Sequence, residues 1–156
     1  MRGLGGLIVL LLLVYAVAAI GGGFTAPAVR DWYPSLIKPS FSPPSWVFGP
    51  VWTVLYTLMA IAAWLVLRHA QKRQLQGPMI LFGIQLVLNM AWSILFFGLR
   101  RPDLGMADIV ALWMAILGTI VAFWRVKASA GALLLPYLLW VSFAAALNFE
   151  LWRLNN

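Results

Sequence analysis

The fold of this chain is decided by its charge-free stretches, and one of them reads QLQGPMILFGIQLVLNMAWSILFFGL, from Gln74 to Leu99. A helix needs about 20 mostly apolar residues to cross the hydrocarbon core of a bilayer, so this stretch is long enough to span a membrane. Its polar and aromatic positions recur at spacings of three and four, which places them on one helical face: Gln85, Asn89, Trp92 and Ser93. The stretch therefore predicts a transmembrane helix with one face turned toward protein.

Four further stretches also lack charged side chains. They run from Gly3 to Val29, Pro39 to Leu67, Ile109 to Trp124 and Ala128 to Phe149. Hydrophobic residues make up 63% of the chain and charged residues only 10%, against roughly 25% charged in soluble domains. We therefore predict an all-α integral membrane protein, a single domain over residues 1–156 that forms a bundle of five transmembrane helices. The expected helices are about 4–24, 44–68, 78–99, 104–125 and 130–152.

The charged residues argue against several classes of function. The net charge is +7, but the basic residues sit in short clusters between apolar runs, as expected for anchors in the headgroup layer. That placement argues against nucleic acid as a partner. The chain has no cysteine, one histidine and four carboxylates, which argues against a protein-built metal site. Asp108 and Glu150 lie near predicted span ends, which argues against proton-coupled antiport.

The first span has an alternative interpretation as a signal peptide. Arg2 precedes the apolar run, and Ala16-Val17-Ala18 resembles a cleavage site. The apolar core of a signal peptide is usually 7–15 residues, and this run is longer. We interpret it as a membrane helix.

The longest connection, residues 25–43, is polar and rich in proline, with Pro27, Pro34, Pro39 and Pro43. Proline removes a backbone donor and restricts the residue before it, so we expect no continuous helix here. Long loops in compact proteins are often lids or binding loops. We interpret 25–43 as a lid over one mouth of the bundle, with a rigid surface strap as the alternative.

An odd number of spans places the termini on opposite faces of the membrane. The N-terminal face carries six basic residues and the other face five, which by the positive-inside rule favours a cytoplasmic N-terminus. The six are Arg2, Arg68, Lys72, Arg73, Arg125 and Lys127.

Polar and aromatic residues within spans predict a binding pocket. The stripe in the third span has counterparts at Trp52, Tyr56 and Met59, and at Tyr137, Trp140, Ala144 and Asn148. Indole and phenol rings offer faces for stacking, and apolar walls with a few polar atoms are typical of small-molecule sites. We therefore expect a flat, largely apolar ligand. The alternatives are helix-to-helix hydrogen bonding and interfacial aromatic belts. His69, at the basic end of the second helix, is interpreted as an interfacial residue.

Four motifs carry a family resemblance. The first loop reads WYPSLIKPSFSPP (32–44), and the second helix continues with VFGPVWT (47–53). The third span contains QLVLNMAWS (85–93) and FFG (96–98), and the last contains PYLLW (136–140) and LNFE (147–150). In this order, and over essentially the whole chain, they resemble the translocator protein / tryptophan-rich sensory protein family. That family's loop pattern is W-Y-x-x-L-x-K-P-x-W-x-P-P, and Phe41 replaces its second tryptophan.

The resemblance implies a five-helix bundle, often a homodimer, with a pocket closed by the first loop. It implies porphyrin ligands such as protoporphyrin, with haem and benzodiazepine-type drugs as further ligands, and no required cofactor. The animal members' sterol motif is broken, because Phe149 stands at its tyrosine position beside Glu150, so sterol binding is not expected. This departure and the short C-terminus indicate a bacterial member in a bacterial membrane. The matching ligand-lining positions are Trp32, Tyr33, Pro44, Trp52, Asn89, Trp92, Trp140, Ala144 and Leu147, and the stripe in the second span adds Tyr56.

Three functions follow as expectations. The first is a receptor or carrier for porphyrins, used in tetrapyrrole handling and stress signalling. The second is light-driven porphyrin degradation, in which Trp52 and Trp140 would be the reacting groups; no conventional acid, base or metal is expected for it. The third is a signalling partner whose ligand biases assembly, through small residues on the fourth helix: Ala111, Ala115, Gly118 and Ala122.

Overall fold

The structure is a computed structural model that describes residues 3–156. Its α-helices are α1 (Leu4–Asp31), α2 (Phe48–His69), α3 (Lys72–Ser93), α4 (Pro102–Val126), α5 (Ala128–Ala132) and α6 (Leu135–Leu154). Short 3₁₀ turns occupy Tyr33–Ser35 and Ser45–Val47, and a π-helical segment, Ile94–Gly98, continues α3. Five segments of this described part are long and apolar enough to cross a membrane, and it contains no strand. The prediction of an all-α protein with five membrane-spanning helices is confirmed.

The bundle is filled differently in its two halves. α4 packs against α3 and α6, and α1 packs against α2 and α3. In the half nearest the N-terminus, buried aliphatic and aromatic side chains pack together at the centre, and the rings of Phe82 and Phe123 stack at 5.9 Å. The other half, which lies below the long loop, contains the cavity described below. Fully buried side chains of the solid half include Val14, Met59, Val66, Ile116 and Phe123.

The first helix is longer than the sequence predicts. Instead of ending near residue 24, α1 continues through Pro27 to Asp31. The prediction that residues 25–43 exclude a continuous helix is therefore wrong for residues 25–31. Proline costs a helix one hydrogen bond, which spanning helices tolerate because nearby hydroxyl groups re-satisfy freed backbone groups. The Thr25 hydroxyl donates to the carbonyl oxygen of Gly21 at 2.9 Å, whereas the carbonyl that loses its helical donor at Pro27 is that of Gly23. Pro27 itself lies on the exposed side of the helix.

The third helix begins at Lys72, not near residue 78. Gln71 and Gln74 form a reciprocal capping box, in which each side chain bonds the other residue's backbone. This cap satisfies backbone donors that would otherwise be unpaired at the start of a helix. Pro78 lies within the helix as a result.

The loop between α1 and α2 is fastened to the rest of the protein. Tyr33 is buried, and its hydroxyl lies 3.1 Å from the Ser42 hydroxyl. Burial raises the pKa of the Tyr33 phenol above its ordinary value, so the group is neutral at physiological pH. The Asn155 side chain accepts a hydrogen bond from the Ile37 amide at 2.8 Å and donates one to the Ile37 carbonyl at 2.9 Å. The C-terminus therefore holds the middle of the loop.

Charges lie at the ends of the spans, as expected for headgroup anchors. On the loop face, Arg101 pairs with Asp103 at 2.5 Å and Arg153 pairs with Glu150 at 2.6 Å. Arg2, one of the six basic residues assigned to the opposite face, lies outside the described residues. The orientation of the protein in the membrane stays a prediction.

Candidate ligand-binding cavity

A cavity of about 420 Å³ lies in the half of the bundle nearest the loop. Its walls come from α1, α2, the C-terminal part of α3 with its π-helical segment, and α6, and Tyr33 of the loop closes one end. Ligand pockets in proteins have volumes of about 300–1,000 Å³. The lining residues are Tyr15, Ala18, Ala19, Gly21, Gly22, Thr25, Tyr33, Phe48, Gly49, Trp52, Thr53, Tyr56, Asn89, Trp92, Ser93, Phe96, Phe97, Trp140, Ala144, Leu147, Asn148 and Leu151.

Aromatic rings form most of the cavity wall. The Trp52 ring lies 5.7 Å from the Tyr56 ring, and the Trp140 ring lies 6.0 Å from that of Phe48 in an edge-to-face arrangement. Trp92 stacks on Phe96 of the π-helical segment at 5.1 Å. These centroid distances are those at which aromatic pairs attract. The rings therefore hold one another in place and present a preformed surface to a ligand.

The π-helical segment explains how two adjacent phenylalanines reach the same region. Inserting one extra residue into a helical turn rotates the residues that follow it, and such turns are frequent at functional sites. Phe96 and Phe97 are both buried, with ring centroids 4.8 Å apart. The segment ends at Gly98, and two residues later Arg100 has a left-handed φ of 55°.

A hydrogen-bonded chain of four side chains borders the cavity and joins three helices. Tyr56 donates its hydroxyl to Asn89 Oδ1 at 2.5 Å, and Asn89 Nδ2 donates to the Tyr137 hydroxyl at 2.8 Å. Tyr137 in turn donates to Gln85 Oε1 at 2.8 Å. All four side chains are buried. The chain fixes the amide of Asn89 at the cavity wall and gives a mostly apolar site one buried amide group.

A second polar contact orients the Trp92 indole. Its Nε1 donates to Asn148 Oδ1 at 3.0 Å, and Asn148 Nδ2 donates to the Pro102 carbonyl at 2.8 Å. Gly105 lies directly behind, because a Cβ there would be 3.0 Å from Asn148 Oδ1. The first turn of α4 therefore supports the tryptophan from outside the cavity.

Comparison with known proteins identifies the family. The model of the TspO/MBR family matches residues 9–153. The chain belongs to the TspO/MBR family. It is 46% identical to the tryptophan-rich protein TspO of Chlorobaculum tepidum over 92% of this chain and 91% of that protein. It is 44% identical to the protein of the same name from Archaeoglobus fulgidus over 96% of both chains, and 37% identical to the translocator protein of Homo sapiens over 88% of this chain and 82% of the human one. The family resemblance predicted from the sequence motifs is confirmed.

Eight of the ten predicted ligand-binding positions line the cavity of this TspO/MBR protein: Tyr33, Trp52, Tyr56, Asn89, Trp92, Trp140, Ala144 and Leu147. Trp32 and Pro44 are not among the lining residues. The Trp32 ring packs edge-on against Phe96 at 5.8 Å and is thus one ring removed from the cavity. Pro44 is exposed and precedes the 3₁₀ turn at Ser45–Val47.

None of the predicted site residues lies on α1, although this helix forms part of the cavity wall. Six positions of α1 line the cavity, and most of them are small. Because small residues leave no aromatic or polar stripe, periodicity does not mark this face. The signal present in the sequence is the concentration of alanine and glycine between Ala16 and Gly23, which leaves that part of the helix thin.

The carboxylate, imidazole and basic side chains of the described residues lie outside the cavity. Asp108 is half-buried in the second turn of α4, and Glu150 pairs with Arg153. His69 lies at the end of α2, where its Nδ1 is 2.8 Å from the Leu65 carbonyl oxygen. Among residues 3–156 no three histidine or carboxylate side chains cluster as metal ligands would. The lining groups are therefore suited to stacking and hydrogen bonding.

Proposed function

We propose that this protein is a membrane receptor or carrier that binds porphyrins, protoporphyrin among them and haem as a further candidate, in tetrapyrrole handling and stress signalling. The observation that carries the proposal is the cavity itself, a hollow of about 420 Å³ between helices, walled by three indole rings and bordered by one amide chain. A flat conjugated ring gains dispersion and stacking energy from such walls. The bilayer around the bundle keeps this site away from bulk water.

The lining residues suggest distinct roles. The indoles of Trp52, Trp92 and Trp140 supply stacking faces, since aromatic pairs contribute about 0.5–1.5 kcal/mol each beyond the area they bury. Asn89 and Tyr56 offer hydrogen-bonding atoms to ring nitrogens or peripheral oxygens of the ligand. The loop from Trp32 to Val47, fastened by Asn155, covers one end of the cavity, with Tyr33 as its inner surface.

The proposal is tested by titrating protoporphyrin into the purified full-length protein in lipid nanodiscs and following tryptophan emission. We expect saturable quenching in the natural protein and at least tenfold weaker binding after Trp140→Ala. Trp46→Ala is the matched control, because that indole is 74% exposed and does not line the cavity. Equal affinity of the natural protein and Trp140→Ala would reject this cavity as the porphyrin site.

A second candidate function is light-driven porphyrin breakdown. Trp52 favours it, because its electron-rich ring lies 5.7 Å from Tyr56 and 6.1 Å from Tyr137. An excited porphyrin held against this indole would react with it, or with oxygen. Illuminating the complex and following porphyrin absorbance tests this. Loss at the same rate after Trp52→Phe and Trp140→Phe would exclude a role for these indoles.

Assembly as a homodimer that senses ligand is a further proposal. A shallow apolar groove on the outer face of α3 and α4 would let a second copy approach closely, because Gly118 and Ala122 leave room between larger side chains. Crosslinking in nanodiscs with and without protoporphyrin measures this. An unchanged monomer-to-dimer ratio would show that ligand binding does not affect assembly, and would reject this proposal.

A further inference from the structure

The cavity is open on one side, and that side faces the lipid. Five of its lining residues are exposed, and every one of them lies on α1 or α2. The lining residues from α3, α6 and the loop are all buried or half-buried. The exposed lining residues are Tyr15, Ala19 and Gly22 of α1, and Gly49 and Thr53 of α2. We call this opening between the two helices the side window.

The side window is closed at its deeper end and lies within the membrane. The Tyr15 hydroxyl donates to the Thr53 carbonyl at 3.1 Å and lies 2.7 Å from the Thr57 hydroxyl, which ties α1 to α2 below the opening. Gly22 is nine residues from the end of α1 at Asp31. At 1.5 Å per residue that is about 14 Å, roughly half of the 30 Å hydrocarbon core. The window therefore meets acyl chains, not water.

Small residues frame the side window. Ala19 and Gly22 stand on one side and Gly49 on the other, and a Cβ at either glycine would meet nothing within 4 Å. A larger side chain therefore fits at both glycines without disturbing the packing, and it would project into open space at the window. Gly23, next to Gly22, also has open space around it but does not line the cavity.

The route through the loop is more obstructed. Tyr33 is 2% exposed and lies beneath the loop, with its ring 6.3 Å from that of Phe48. Asn155 holds the Ile37 backbone by two hydrogen bonds. Access from the aqueous side requires both sets of contacts to break, whereas the side window is bordered by side chains that need not move.

We infer that ligands reach the cavity sideways from the bilayer through the window between α1 and α2. The inference rests on the proposed function and narrows it: the ligands are molecules that first dissolve in the membrane, and the side chains at positions 22 and 49 determine how large a ligand passes. The loop then forms one wall of the site, and ligands do not enter through it.

The first test measures binding rates in nanodiscs with protoporphyrin already dissolved in the lipid. The double variant Gly22→Leu/Gly49→Leu narrows the window, so we expect the association rate to fall at least tenfold and the dissociation rate to fall with it. Gly23→Leu is the matched control and should keep the natural rates. Natural rates in the double variant would overturn the inference.

The second test does not depend on porphyrin. The chain has no cysteine, so Ala144→Cys places a single thiol on the cavity wall. N-ethylmaleimide dissolved in the bilayer should label this thiol at least tenfold more slowly when Gly22→Leu/Gly49→Leu is added, and equally fast when Gly23→Leu is added. Unchanged labelling in the double variant overturns the side window. Slower labelling together with no porphyrin binding by the natural protein retains the window and rejects the proposed function.

Discussion

Replacing Asn89 by leucine tests the buried polar chain that borders the cavity. The side chains are similar in size, but leucine leaves the Tyr56 hydroxyl without its acceptor and removes one donor from Tyr137, which still donates to Gln85. An unsatisfied buried polar group costs about 1–3 kcal/mol, and hydrogen bonds between membrane helices average about 0.6 kcal/mol. We therefore expect a total loss of about 2 kcal/mol in the free energy of unfolding.

The assay is reversible unfolding of the purified protein in mixed micelles, followed by tryptophan emission. A double-mutant cycle with Tyr56→Phe isolates the bond between Tyr56 and Asn89, and a coupling energy of about 1 kcal/mol is expected. An Asn89→Leu variant within about 0.5 kcal/mol of the natural protein, or a cycle with no coupling, would refute the assignment of this chain as an energetic link between the helices.

Three further predictions concern the loop and the backbone. Asn155→Ala frees the Ile37 backbone, so exchange of the Ile37 amide hydrogen should accelerate at least tenfold. Asn156→Ala is the control and should leave this exchange rate unchanged. Equal exchange rates in both variants would contradict the role of Asn155 in holding the loop. Arg100→Gly should raise the free energy of unfolding by about 1 kcal/mol, since a left-handed φ of 55° costs residues other than glycine about 1–2 kcal/mol. Arg100→Ala removes the charge but keeps a Cβ, so it should not raise the free energy of unfolding. An equal increase in both variants would show that the charge, and not the backbone, causes the effect. Gly131→Ala should lower the free energy of unfolding by about 1–3 kcal/mol, because its Cβ would lie 2.7 Å from a carbon of the Trp124 indole. A melting temperature equal to that of the natural protein would show that this indole moves aside at no cost.

Hydropathy predicts the spans of this protein well, because every segment that crosses the lipid must be apolar over about 20 residues and must satisfy its own backbone hydrogen bonds. The second and fourth helices begin and end within a few residues of their expected limits. The error at Pro27 has a physical cause: proline was treated as a helix breaker, as it is in water. A spanning helix tolerates the loss of a single hydrogen bond, and α1 continues to Asp31.

The cavity was predictable only where side chains leave a periodic mark. Trp52, Asn89 and Trp140 recur with aromatic or polar neighbours at helical spacing, and the structure brings all three to one cavity. Two features leave no such mark. The small residues of α1 form the open side without any aromatic or polar stripe. The π-helical turn at Ile94–Gly98 shifts the helical register within the segment that carries Phe96, which lines the cavity with Trp32 packed behind it.

The central claim is that the aromatic cavity, and no other surface of the protein, takes up a flat ring system. The most direct measurement is a Soret-band titration of protoporphyrin against the natural protein and against Ala144→Phe, which places a ring inside the cavity wall while the rest of the chain is unchanged. Our account predicts one saturable site per chain in the natural protein and none in Ala144→Phe. Equal saturable binding by both proteins, with the variant shown to be folded by its melting curve, would contradict it.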